Sequence, residues 1–280
     1  MSHPLNLVRS EFIKLRTTNA WWLFGLGAFG MLALAFFFNA VNAHFLFTDG
    51  SVEGLSAEEA AQFEATRDVV NQAANLYTSG QFFGLLFVML IGIVLITNEF
   101  QHQTVTTTFL TTPHRTAVIL AKLAVAALTG AFFWLVTTAL NIPATMIFLS
   151  TEDVSNHLSD WPVTRAILLN LVAYLLWGIL GVGFGVLIRS QIGATVTGVA
   201  LYLVGTLAVQ IIFALLSNLL DADWILDLRF GMPSIASSLM VGGVNIPGQP
   251  QFWVGAVVLV AWALVTGTIG TLITRTRDIS

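Results

Sequence analysis

Residues 17–48 read TTNAWWLFGLGAFGMLALAFFFNAVNAHFLFT, a run of 32 residues without one charged side chain. A helix needs about 20 apolar residues to cross the hydrocarbon of a bilayer, so this run is long enough to span it. Its apolar residues are continuous and lack the two-residue alternation of a barrel strand. The same texture recurs outward along the chain. Charge-free runs cover Val69 to Asn98 (30 residues), Leu123 to Thr151 (29), Ala166 to Ile188 (23) and Ser190 to Leu220 (31). A last run, Phe230 to Thr274, has 45 residues, but Pro233, Pro247 and Pro250 interrupt its first half. The reading is an all-α membrane protein with six transmembrane helices near 21–47, 81–98, 123–149, 166–188, 192–218 and 252–273. The whole chain, 1–280, is expected to form a single transmembrane domain.

Composition agrees. Of the 280 residues, 56% are hydrophobic and 9% charged, where a soluble domain carries about 25% charged residues. So few charges cannot cover a water-facing surface, which excludes a soluble enzyme. The formal net charge of −4 offers nothing to nucleic acid. There is no cysteine, hence no disulfide, thiolate metal site or thiol nucleophile.

Lysine and arginine set the expected orientation. With the N-terminus inside, the inner segments hold Arg9, Lys14, Arg16, Arg115, Lys122, Arg189, Arg275 and Arg277, and the outer ones only Arg67, Arg165 and Arg229. The positive-inside rule then makes both termini cytoplasmic. The first apolar run is too long for a signal-peptide core, so a cleaved leader is not expected.

The flanking segments carry further readings. Residues 1–20 contain a helix over 4–19 with Leu5, Val8, Phe12 and Leu15 on one stripe and Glu11 and Lys14 on the far side. It reads as an interfacial helix leading to the Trp21-Trp22 pair, or as an ordinary charged flank. Ser56-Ala57-Glu58-Glu59 has capping-box spacing, so a helix is expected from Ala57 toward Tyr77. Residues 150–165 read as a short outer loop, and Arg189-Ser190-Gln191 as a tight inner turn. Residues 221–251 are too apolar for a solvated loop, yet Asp221, Asp223, Asp227, Arg229 and the prolines forbid an ordinary span. Re-entrant outer helices between spans five and six satisfy both facts.

Motifs of chemistry are sparse. No phosphate loop, H-E-x-x-H or G-x-S-x-G occurs. Gly25-Leu26-Gly27-Ala28-Phe29-Gly30 fits G-x-G-x-x-G but lies inside a span, where close helix packing is the better reading; Gly181/Gly185 and Ala194/Gly198 read the same way. His3, His44, His102, His114 and His157 form no metal-spaced pair. None of the six spans carries an ionisable group at bilayer depth; Asn39, Asn42, Asn141, Asn170 and Gln210 remain as polar residues. Asn39, Asn42, Asn141 and Gln210 are candidates for a translocation path or for inter-helix hydrogen bonds. With no coupling group of its own, any uphill movement takes its energy from a partner. That directs attention to the inner segment 98–115, a docked transmission element or a connecting loop, in which Thr112 caps the next helix and Pro113 opens it.

The run Glu99-Phe100-Gln101-His102-Gln103-Thr104, followed by Pro113, Arg115 and Lys122, resembles the ABC-2 type transporter permeases. The opening Ser10-Glu11-Phe12-Ile13-Lys14-Leu15-Arg16-Thr17 before Trp21-Trp22 is similar to the actinobacterial-type branch. Gln103 stands where that family commonly has glycine. The resemblance implies the membrane subunit of an ATP-driven exporter in a bacterial plasma membrane. It also implies a second permease subunit, the same or different, and two ABC ATPase subunits. The chain itself then has no cofactor; ATP and Mg belong to the partner. It implies ATPase coupling through Glu99, His102, Gln103, Thr104, Thr108, Pro113 and Arg115. A sensor or transmitter without transport is the alternative, and a lipid-modifying membrane enzyme built on Asp221, Asp223, Asp227 and Arg229 the second.

The orientation is directly testable because the chain has no native cysteine. A Ser56→Cys variant in intact cells is expected to react with an impermeant maleimide from outside. Labelling only after the cells are opened inverts the topology.

Overall fold

The computed structural model describes residues 4–48, 54–102, 115–188 and 190–276, and among these the regular structure is helical, with no strand. Helix α1 (Pro4–Thr17) precedes the long α2 (Ala20–Thr48). Helices α3 (Ala57–Arg67) and α4 (Val69–Tyr77) lead into α5 (Gln81–Gln101), followed by α6 (Arg115–Thr151) and α7 (Trp161–Leu187). Then come α8 (Gln191–Ala200), a π-helical turn (Leu201–Gly205) and α9 (Thr206–Leu220). Two short helices, α10 (Trp224–Asp227) and α11 (Pro233–Met240), flank a 3₁₀ turn (Leu228–Gly231), and α12 (Phe252–Thr276) follows. Six helical stretches are long and apolar enough to cross a membrane: 20–48, 69–101, 116–151, 161–187, 191–220 and 252–273. Each overlaps an expected span.

Two helices replace the one expected over Ala57–Tyr77. The capping box forms as read: Ser56 Oγ accepts from the Glu59 amide, and the Glu59 carboxylate accepts from the Ser56 amide at 2.9 Å. The Ser56 hydroxyl, donating to the same carboxylate at 2.7 Å, and then the Ser56 amide hold the Glu59 carboxyl below its ordinary pKa. Asp68 then ends α3, and its Oδ1 accepts from the amides of Val70 and Asn71 to start α4. A second break separates α4 from α5, where Gly80 adopts a φ of +76°. Asn141 of α6 donates to the freed carbonyls of Tyr77 and Ser79, at 3.3 and 2.9 Å, and Asn39 of α2 donates to Ser79 Oγ at 2.9 Å. Backbone broken inside an apolar bundle is tolerated where other groups satisfy it in this way.

Helix α7 is the hub, and glycine sets its contacts. A β-carbon on Gly181 would collide with the Met89 carbonyl of α5, and one on Gly178 would lie 2.5 Å from the Ala126 carbonyl of α6. One on Gly183 would meet Thr266 of α12 at 2.8 Å. Small residues thus let three neighbours approach backbone to backbone. Gly185 does the same against Ile93 and Ile96, and Gly198 packs on Ile93 and Met89, as the small-residue pairs suggested. The α2 glycines differ from expectation: only Gly27 meets a neighbour, the Phe87 ring, while Gly25 and Gly30 face open space.

Burial is uneven. In the most apolar window of 69–101, 83% of residues are buried, against 11% for 20–48 and 11% for 191–220. Helices α2 and α9 therefore present apolar faces to lipid or to another chain.

Gly181→Val is expected to lower the detergent-solubilised melting temperature sharply, since overpacking against backbone costs about 1–3 kcal/mol or more. Gly25→Ala is expected to leave it unchanged; equal melting of the two variants removes the packing role.

Candidate functional site

At one end of the bundle, four charged side chains from three helices close on each other. Glu11 and Lys14 come from α1, Glu99 from the last turn of α5 and Lys122 from the second turn of α6. Lys14 Nζ lies 2.6 Å from Glu11 Oε1 and 2.6 Å from Glu99 Oε1. Lys122 Nζ lies 2.5 Å from Glu11 Oε2, 3.0 Å from Glu99 Oε1 and 3.3 Å from the Leu95 carbonyl. Glu11, Glu99 and Lys122 are 2%, 6% and 1% exposed, so the site is desolvated on all sides but that of Lys14.

Two carboxylates against two ammonium groups leave the cluster neutral, and that neutrality makes its burial tolerable. Burial pulls the Lys14 ammonium toward deprotonation, but hydrogen bonds and the charges of Glu11 and Glu99 outweigh it. Its pKa stands above the ordinary 10.5. With a raised pKa, the Lys14 contribution is complete below pH 10.5 and is lost only as pH climbs through the folded value.

The cluster corrects the reading of α1. Glu11 does not face away: it shares the buried side with Leu15, and Val8 packs against the same core. Leu5, Phe12 and Ile13 are the exposed apolar side chains. It also qualifies the expectation of spans without ionisable groups. Glu99 and Lys122 fall just beyond the expected limits 81–98 and 123–149, yet inside the membrane-length helices as folded. Sequence reasoning missed Lys14 and Lys122 as the partners of Glu99, and Glu11 as the carboxylate that shares them. Two of the three carried a signal: Lys122 stands alone in Leu120-Ala121-Lys122-Leu123, and Glu11 lies one helical turn from both Val8 and Leu15.

The cluster lies at the base of the segment read as a coupling element. Glu99 is its second residue and Lys122 lies seven residues past its end, so their ion pair fastens the end of α5 to the start of α6. His102 is exposed and ends α5, its amide donating to the Asn98 carbonyl. Gln103, Thr104, Thr108 and Pro113 lie outside the described residues, as does Thr112 and its expected cap. Arg115 is the first residue of α6, its side chain also outside them.

The four candidate path residues do not meet in one place. Asn39 and Asn141 both serve the α4–α5 break, Asn42 is exposed on α2, and Gln210 lines a separate cavity of about 470 Å³. That cavity is bounded by α4, the start of α5, α9 and residues 229–252. Phe82 lines it, and at 1.5 Å per residue α5 carries the chain about 26 Å from there to Glu99. Tyr202 of the π-helical turn pins the region, donating to the Phe82 carbonyl at 2.6 Å with its ring 4.8 Å from Phe82 and 4.9 Å from Trp177. No group of three or more metal-ligating side chains occurs among the described residues.

An all-helical bundle with six membrane-length helices is a polytopic membrane protein. The family model described as ABC-2 family transporter protein matches residues 7–192, more than half of the chain. The protein belongs to that family and is a membrane component of transport, which implies association with ABC ATPase subunits. Comparison with curated proteins gives no match.

Lys122→Met leaves two buried carboxylates facing one ammonium and is expected to cost about 3–5 kcal/mol, read as a fall in melting temperature. Lys14→Gln, at the exposed side, is expected to cost less. Equal effects of the two contradict the burial argument.

Proposed function

We propose that the protein is the permease subunit of an ATP-driven exporter, with both termini cytoplasmic and the segment 98–115 docked on an ABC ATPase. The observation that supports this most is the Glu11–Lys14–Glu99–Lys122 cluster. A segment whose two ends share one ion pair, itself pinned to α1, moves α1, α5 and α6 together when it is pushed. Energy from ATP and Mg in two ATPase subunits then enters the bundle at one desolvated point. His102, Gln103, Thr104, Thr108, Pro113 and Arg115 supply the docking surface, and Glu99 transmits the displacement.

A second permease subunit covers the apolar faces of α2 and α9, and the path forms between the two subunits. Asn39, Asn42, Asn141 and Gln210 are its polar contacts in this reading. The short helices between α9 and α12 dip into the outer leaflet and close the outer end. Helix α1 lies in the inner interface, with Leu5, Phe12 and Ile13 toward acyl chains and Arg9 and Arg16 toward headgroups. The setting is a bacterial plasma membrane.

Co-expression with the cognate ATPase is expected to yield a stable complex, and the lone chain to hydrolyse no ATP. Thr104→Ala and Glu99→Gln are expected to lower substrate-stimulated ATPase turnover several-fold at unchanged membrane insertion. Hydrolysis by the lone chain, or full coupling in both variants, refutes the assignment.

A further inference from the structure

Two cavities open side by side on the flank of the bundle beside α1. One, of about 330 Å³, lies between α2 and α6 and runs from Trp21 to Leu32. The other, of about 280 Å³, lies between α1 and α6 beside Phe12, Leu15 and Arg16. Trp21, Phe132 and Phe133 line both, so the two form one groove along α6. Gly25 keeps it open: a β-carbon there would have nothing within 4 Å. The Trp21 indole donates to the Arg16 carbonyl at 3.1 Å and the Trp22 indole to Asn19 Oδ1 at 3.3 Å, while the Thr129 and Thr137 hydroxyls donate to carbonyls of their own helix. Every hydrogen-bonding side chain of the wall is engaged except Arg16.

Length and charge identify the occupant. At 1.5 Å per residue, Trp21 to Leu32 measures about 17 Å along α2, close to one leaflet of a hydrocarbon core about 30 Å thick. One end of the groove is cationic. Arg16 lines it, and Arg9, seven residues earlier, stands on the same face of α1. Both are exposed, and neither pairs with a described residue. Glu11 and Glu99, the carboxylates of this end among the described residues, are held by Lys14 and Lys122. An apolar slot one leaflet long, beside two guanidinium groups, matches an acyl chain hanging from a phosphate. A helix does not fit. It is about 10–12 Å across, whereas about 330 Å³ over that length leaves roughly 20 Å² of cross-section.

We propose that this groove holds one anionic phospholipid, its phosphate on Arg16 and Arg9 and one acyl chain between α2 and α6. The lipid is a fixed part of the bundle, not a cargo, and it joins α1, α2 and α6 where α1 turns into α2. The proposal rests on α1 lying at headgroup level, and not on transport or ATPase coupling. A chain that couples normally to its ATPase yet retains no lipid sinks this proposal alone.

The full chain, delipidated in a non-ionic detergent, is titrated with phosphatidylglycerol or with phosphatidylcholine of the same acyl chains and followed by native mass spectrometry. Saturation at one phosphatidylglycerol per chain is expected, with at least a tenfold preference over phosphatidylcholine. Arg16→Gln is expected to reduce that preference about fivefold, the scale of one basic side chain near an anionic surface. Gly25→Leu, whose β-carbon meets no neighbour, fills the groove and is expected to abolish retention of either lipid. Arg16→Gln changes an exposed side chain, so the test survives a misfolded leucine variant. Excess inorganic phosphate is expected to displace nothing. Absence of saturable retention, equal retention of the two lipids, or retention that either variant leaves unchanged overturns the proposal. So does displacement by phosphate, or a disulfide between two Gly25→Cys chains in native membranes, which places a second copy in the groove.

Discussion

Two carboxylates and two ammonium groups that can be buried only together organise one end of this protein. Each charge taken from water carries a penalty of several kcal/mol, and the four-way arrangement offsets it only while all partners stay in contact. Glu11 and Lys122, both almost fully enclosed, make the contact between α1 and α6 obligatory. Glu99 extends the same obligation to α5. Helix α1 is therefore part of the bundle, despite its short length and mixed composition.

The opposite end is organised differently. There the backbone is broken repeatedly, at Gly80, in the π-helical turn and around the 3₁₀ turn, and neutral hydrogen bonds make up the loss. Asn141 serves one break, while Tyr202, Trp177, Ser237 and the Thr206–Ser234 pair knit the others. Irregular backbone of this kind borders the cavity lined by Phe82, Gln210 and Arg229. Between the two ends, glycines of α7 bring three helices to backbone contact. A displacement at the charged end thus meets a tightly packed middle before it reaches the cavity.

Span number and helix type were legible because membrane crossing imposes a length and an absence of charge that no tertiary contact alters. The capping box at Ser56 was legible because its partners are three residues apart. The role of Glu99 was half legible: its place in the inner segment could be read, but its partners Lys14 and Lys122 are 85 and 23 residues away in chain order and on other helices. Charged residues at the end of a span look alike in sequence whether they meet water or each other.

Sequence alone determined that the chain is helical and carries six stretches long and apolar enough to cross a membrane. Those properties follow from composition and local spacing. Tertiary structure decided which face of α1 is buried, that Lys122 closes an ion cluster, that Asn39 and Asn141 serve a helix break, and that Gln210 lines a cavity beside α4 and the start of α5. Each depends on distant segments meeting at a particular rotation about their axes. Helix rotation is set by packing, and packing is not written in any one segment.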